Sequence, residues 1–181
     1  MAGVRHADPG RDAAACAAIY APHVDPGFAS FEAAPPDAAE MGRRIASAAR
    51  THTWLVHECD DGETAGYAYA GPHRGREGYR WSAEVAVYVG AAHVGRGVGH
   101  GLYDALLALL ADQNLRWACA GIALPNPSSV RLHEKLGFEL VGVYRAIGYK
   151  AGAWRDVAWW QRELAPGDGA PPPEPLGPRR L

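Results

Sequence analysis

The feature that most restricts the fold is a glycine-rich turn joining two apolar stretches, residues 89–110 (VGAAHVGRGVGHGLYDALLALL). An apolar strand end runs through Gly95, Gly97, Gly99 and Gly101 directly into an apolar helix. Glycine adopts left-handed conformations and lets the backbone approach an anion closely at little steric cost. The free N–H groups and positive dipole end of the helix that follows favour a phosphate just ahead of it. Strand, turn and helix in this order predict a phosphate cradle, with Arg96 adding charge and Val98, Gly99 and His100 opening the helix. The plainer alternative is a turn that only caps a helix.

Two familiar cradles do not fit the letters. A Walker loop needs Gly-Lys-Ser/Thr, and no lysine lies near Gly97 or Gly99. A dinucleotide-binding turn needs an acidic residue about 20 positions on. Residues 115–125 (LRWACAGIALP) offer none.

The chain has 181 residues, which suits one domain, and its 48% hydrophobic and 21% charged residues are ordinary for a globular protein. A net charge of −2 predicts no nucleic-acid partner, so any anion site must be local. No apolar run reaches the ~20 residues of a membrane helix, and MAGVRHADPG does not read as a signal peptide. The expectation is a cytoplasmic protein with no membrane partner. Cys16, Cys59 and Cys119 show neither disulfide nor metal-ligand spacing, so they read as reduced thiols and no metal is expected. Cys119, in a wholly apolar run, reads as core.

Periodicity predicts the remaining elements. A short strand at 3–5 precedes a helix over 11–20, capped by Asp8. A second helix spans 37–49, with Met41 and Ile45 on its buried face. Strands at 54–58 and 64–70 flank an Asp-Asp-Gly turn, and another strand covers 83–89. The glycine-turn helix ends at Asn114, a central strand covers 117–124, and a helix runs from 128 to 136, ended by Gly137. Final strands are expected at 138–144 and 157–164 with a loop between them. Residues 1–164 read as one domain and the proline-rich 165–181 as a disordered tail.

Several residues stand out chemically. Glu84 sits in an otherwise apolar strand, where desolvation raises a carboxyl pKa towards a useful range for a base; the alternative is an ion pair with a nearby arginine. Arg74 and Arg76 form either a solvated loop or an anion clamp. Phe31 and Glu32 lie in an ordered loop, as pocket wall or as packing. Asn126 can cap the helix behind it, and His133, two turns on, titrates near neutrality or is simply core.

VGRGVG (94–99) resembles the pyrophosphate loop Gln/Arg-x-x-Gly-x-Gly/Ala of the GNAT N-acetyltransferases, with Val94 in place of the leading Gln or Arg. WSAEVAVYV, GIALPN, SVRLHEKLGF and GAWRDVAWWQ, in that order, are similar to the phosphinothricin acetyltransferase family. The resemblance runs from about Val4 to Leu164. It implies an α/β (α+β) GNAT fold: a mixed, mostly antiparallel sheet of about seven strands, helices on both faces, splayed where the cofactor's pantetheine inserts. It implies acetyl-CoA as co-substrate, held by Val87, Tyr88, Val89, Gly95, Arg96, Gly97, Val98, Gly99, His100, Asn126 and Ser129. It places Glu84 by the reacting amine and His133 where many superfamily members have the tyrosine that protonates the leaving thiolate. Phe31, Glu32, Arg74 and Arg76 would bind the acceptor. That acceptor would be phosphinothricin, methionine sulfoximine or methionine sulfone, and the protein a homodimer. Acetylation of a protein N-terminus or another amine, or a non-catalytic CoA sensor, are the alternatives.

Overall fold

Among the described residues, eleven α-helices and β-strands follow one another: β1 (Gly3–His6), α1 (Ala13–Val24), α2 (Ala38–Thr51), β2 (Trp54–Glu58), β3 (Thr64–Pro72), β4 (Ser82–Val89), α3 (Val98–Asp112), β5 (Trp117–Ala123), α4 (Pro127–Lys135), β6 (Glu139–Lys150) and β7 (Ala153–Glu163). The structure, a computed structural model, describes residues 3–165, 169, 170, 172–178 and 181. The strands form one sheet in the order β1-β2-β3-β4-β5-β7-β6. Every neighbouring pair is antiparallel except β4 and β5. The mixed, seven-stranded sheet with helices on both faces is therefore as expected.

One face is covered by α3, whose Leu102, Tyr103, Leu106 and Leu110 are buried against Val85, Ala118, Ala120, Phe138 and Trp160. The other face carries α1 and α2, where Cys16, Tyr20, Met41 and Ile45 pack on Trp54, Val56 and Tyr67. Each fully buried side chain of this size contributes about 1.5–3 kcal/mol. Asp37 caps α2 by accepting the N–H of Glu40 at 2.7 Å.

Two local expectations change. The first helix begins after Asp12, because Asp8 instead folds a turn, accepting from the N–H groups of Gly10 and Arg11 at 2.8 Å. Asp12 makes no side-chain cap; the Arg5 guanidinium engages both its oxygens, at 2.7 and 2.8 Å. The expected loop between the last strands is mostly strand. Ala151 (φ 50°) and Gly152 (φ 74°) close a two-residue turn, so β6 and β7 pair up to Lys150 and Ala153.

Positive φ occurs at Gly95 (80°) and Gly97 (84°) but not at Gly99 or Gly101. Gly99 lies within α3, where a Cβ would come 3.3 Å from Leu132 Cδ2 and 3.5 Å from Val89 Cγ2. Its smallness serves close packing of α3 rather than backbone freedom.

Residues 172–178, expected as part of a disordered tail, lie against the domain. Trp81 Nε1 donates to the Pro173 carbonyl at 2.8 Å, and the Arg80 guanidinium holds both carboxylate oxygens of Glu174 at 2.8 Å. The Leu176 N–H donates to the Gln113 carbonyl at 2.8 Å. Proline-rich composition marks an absence of helix and strand, but it leaves carbonyls free to accept from the body.

Candidate active site

Strands β4 and β5 pair at Ser82 with Trp117, Ala83 with Ala118 and Glu84 with Cys119, and then part. Each stays in the sheet through its other neighbour. Backbone N–H groups of residues 85–89 that face β5 therefore lose their ladder partners, a state that calls for a ligand or water. The gap widens into a cleft of about 790 Å³, lined on its two sides by residues 85–89 and 120–123.

At one end the cleft is lined by Gly95, Gly97, Val98, Gly99 and His100, where the N-terminus of α3 emerges from the glycine turn. The left-handed residues and the open space around Gly95 and Gly97 suit a close anion. Arg96 belongs to the turn but does not line the cleft. Across the gap stands α4. Its N-cap, Asn126, accepts the Ser129 N–H on Oδ1 at 3.2 Å, and its Nδ2 has no partner among the described residues. The two roles foreseen for Asn126 thus fall on different atoms, the oxygen capping the helix and the amide nitrogen free for a ligand carbonyl. Ser129, Arg131, Leu132, His133 and Lys135 complete this wall.

Glu84 does not itself line the cleft; it stands at the last paired rung, immediately before the split, with its side chain 44% exposed. Burial pushes its carboxyl above the usual range, and the Arg74 guanidinium pulls the other way. Arg74 stacks over Trp159 at 5.3 Å. His73 meets Trp159 at 5.7 Å between ring centroids, and its Nδ1 lies 3.8 Å from Glu84 Oε2. Burial, with Arg74 adding to it, holds the His73 imidazole below its ordinary pKa. Cys119 is half-buried beside Glu84, not deep in the core as the apolar run suggested.

The other acceptor-loop residues separate. Arg76 is exposed at the start of a short 3-10 turn (Glu77–Tyr79), and no contact with Glu84 or Trp159 is formed. Glu32 is engaged by Arg44 through both oxygens, at 2.7 and 3.0 Å, and by the Tyr20 hydroxyl at 2.9 Å. The Arg44 guanidinium holds its carboxyl below the usual range. Glu32 thus orders the 25–36 loop. Phe31 lies over the backbone of Gly148, and the Lys150 ammonium donates to the Glu32 carbonyl at 2.6 Å, so this loop docks on the β6–β7 hairpin.

His133 is 3% exposed. Its Nδ1 lies 2.8 Å from the Ser129 carbonyl, so Nδ1 carries the proton and Nε2, 3.1 Å from the Tyr103 hydroxyl, accepts. Burial holds its pKa below the ordinary value, which keeps the ring neutral. Both nitrogens are thereby committed. Sequence reasoning missed His73, Trp159, Arg131 and Lys135. The spacing of Arg131 and Lys135 on one helix was a visible signal; only strand pairing brings Trp159 to the site.

A sheet split between two parallel strands, with an anion cradle at one end and a partly desolvated carboxylate at the other, defines an acyltransferase that draws its acyl group from a CoA thioester. Residues 8–159 match the acetyltransferase (GNAT) domain, and the chain belongs to this family. It is 38% identical to a phosphinothricin N-acetyltransferase of Streptomyces viridochromogenes, over 92% of this chain and 89% of that protein. It is 36% identical to an L-methionine sulfoximine/L-methionine sulfone acetyltransferase of Pseudomonas aeruginosa, over 85% of this chain and 90% of that one. The crystal structure of a phosphinothricin acetyltransferase from Sinorhizobium meliloti in complex with acetyl-CoA superposes with a TM-score of 0.89 at 34% identity, covering 97% of this chain and 95% of that one.

Proposed function

We propose that this chain transfers the acetyl group of acetyl-CoA to the amino group of a small amino acid or analogue bearing an oxyanion or sulfone, of the phosphinothricin or methionine sulfoximine type. The observation that carries the reading is the split between β4 and β5, which ends at Glu84 beside Arg74 on Trp159. The relatives named above supply the acceptor class.

An α-amino group with pKa near 8 is largely charged at pH 7 and must lose a proton before it attacks. Glu84, with its raised pKa and partial exposure, takes that proton directly or through water. Arg74 holds the acceptor's anionic or sulfone oxygens, and Trp159 fixes the guanidinium plane. Acetyl-CoA, when bound, supplies an activated thioester. The glycine turn and the start of α3 hold its diphosphate, Asn126 Nδ2 its pantetheine arm, and the free N–H groups of residues 87–89 its carbonyl oxygen. Attack is direct. Cys119 is the nearest thiol, and burial together with Glu84 pushes its pKa up, leaving it protonated and a poor nucleophile. A free thiol has a pKa near 8.5, so the departing thiolate needs little acid help. His133 and Tyr103 are then positioning residues rather than the acid.

The domain works as a homodimer on this reading. Supporting this, the edge strand β6 exposes Leu140, Val141, Tyr144, Ile147 and Tyr149, more apolar surface than a lone edge strand leaves open.

Thiol release from acetyl-CoA, followed with phosphinothricin, methionine sulfoximine, methionine sulfone, ordinary amino acids, spermidine and a short peptide, tests the proposal. Saturable turnover confined to the anionic or sulfone-bearing amino acids is expected. Turnover with spermidine or the peptide instead, or silence while acetyl-CoA still binds, would overturn it.

A further inference from the structure

The loop that carries Arg74, residues 73–81, is tied to the segment 172–178. It starts with His73 and Arg74, both against Trp159, and ends with Arg80 and Trp81. In between, its bonds are local: the Tyr79 N–H donates to the Arg76 carbonyl and the Arg80 N–H to the Glu77 carbonyl, each at 3.0 Å. Among the described residues, 75–80 reach outside the loop by hydrogen bond or ion pair through Arg80 alone, and its partner there is Glu174. The Arg80 guanidinium takes both Glu174 oxygens while lying 3.7 Å over the Trp81 ring. The Trp81 indole donates in turn to the Pro173 carbonyl. The segment is also fixed to the end of α3, where Asn114 Nδ2 donates to the Glu174 carbonyl at 3.0 Å and the Leu176 N–H donates to the Gln113 carbonyl at 2.8 Å. Pro172, Pro173, Pro175 and Pro178 have fixed φ, so the segment loses little backbone entropy on docking.

We infer that residues 172–178 are a strap for the acceptor loop: Glu174, through Arg80, holds 73–81 in the conformation that sets Arg74 and His73 beside Glu84. This rests on Arg74 holding the acceptor. Exposed ion pairs usually contribute little, but a bidentate guanidinium–carboxylate pair braced on an indole has the geometry that does more. The guanidinium holds the Glu174 carboxyl below its usual range. Tyr79 carries the constraint back towards the site. Its ring meets His73 edge-on at 6.0 Å between centroids, and His73 Nδ1 lies 3.8 Å from Glu84 Oε2. The same strap grips the trailing end of α3, whose leading end carries the glycine turn, so one segment braces both. Glu174 is a positioning residue; it acts on the acceptor only through Arg80 and the loop.

Amide hydrogen exchange on the full-length wild type, Glu174→Gln and Arg80→Gln, without ligands, tests the hold on the loop; KM and kcat with phosphinothricin test its consequence. In both variants the Tyr79 and Arg80 amides should exchange about 2- to 5-fold faster, while residues 98–112 exchange as in the wild type. The KM for phosphinothricin should rise by about the same 2- to 5-fold, with kcat and the KM for acetyl-CoA unchanged. Arg80→Gln/Glu174→Gln should do no worse than either single variant, because all three lose the same pair. Unchanged exchange, faster exchange with an unchanged phosphinothricin KM, or equal rises in both KM values would each overturn the inference. Absence of turnover by the wild type would instead sink the acceptor reading, and the exchange comparison would still decide whether the strap holds the loop. Trp81→Phe, which keeps a ring under Arg80 and removes the donor to Pro173, gives the same readouts should a charge variant fold poorly.

Discussion

Glu84 and Cys119 are direct partners across the last rung at which β4 and β5 pair. Side chains of paired residues share a face of the sheet, so the thiol stands beside the carboxylate at the mouth of the split. Burial, with the Glu84 charge adding to it, raises the thiol's pKa and so argues for direct acetyl transfer. Cys119→Ala should therefore keep kcat/KM within a few-fold of the wild type, as measured by thiol release. A loss comparable to that of Glu84→Gln would revive an acetyl-cysteine route.

Glu84→Gln removes the proposed base with little change in volume. A loss of about 10²-fold in kcat/KM is expected, with calorimetric acetyl-CoA affinity unchanged. In the wild type, kcat/KM falls as pH drops through the raised Glu84 pKa, because the protonated carboxyl cannot accept the amine's proton. The variant should lose that acidic limb. An unchanged pH profile would remove Glu84 from the role.

His133 bridges Ser129 and the buried Tyr103 hydroxyl. Replacing it with alanine leaves that hydroxyl unpaired, at a cost of about 1–3 kcal/mol, in addition to a cavity. Urea unfolding should register this loss, while the basic limb of the pH–rate profile stays where it is. Movement of that limb in His133→Ala would restore the imidazole as the acid.

Four half-buried or buried imidazoles, those of His23, His52, His73 and His133, have pKa values lowered, chiefly by burial. The unfolded chain titrates near 6.5 and so binds more protons than the native one below that pH. Their contribution is fully present above about pH 6.5 and is lost as pH falls through the lowered native values. Thermal unfolding should show a stability loss between about pH 6.5 and 5, before the carboxylates titrate. A Tm flat across that window would contradict the burial of these rings.

Gly148 has no room for a side chain, since a Cβ there would overlap the Phe31 ring. Gly148→Ala should push the 25–36 loop off the β6–β7 hairpin, at about 1–3 kcal/mol for the overpacking. The expected signature is a raised KM for the amine with the KM for acetyl-CoA unchanged. Equal rises in both would place the loop outside the acceptor pocket.

The glycine-turn end of the cleft was legible because it is local. Strand, glycine turn and helix 89–110 lie in one run of sequence, and so do Asn126 and its helix, where cap and spacing rules apply directly. Glu84 was visible as one charge in an apolar strand. The acceptor half was legible only in part. Arg74 reached Trp159, but Arg76 stayed outside and Glu32 was taken up by Arg44, from a helix whose approach no local pattern reveals. His133 lines the cleft, while its proton was settled by Ser129 and by Tyr103, thirty residues earlier.

By itself, the sequence determined which segments become helix or strand, where a glycine turn opens onto a helix N-terminus and which carboxylate is costly to bury. These depend on backbone conformation and hydrophobic period, properties of neighbours along the chain. The tertiary structure decided which partner each charged group found, and that β4 and β5 pair for three rungs and then separate. It also set Cys119 beside Glu84, and Arg131 and Lys135 along the cleft wall. Register and ion pairing join residues far apart in the chain. Their free energies depend on distances that exist only once the sheet has formed.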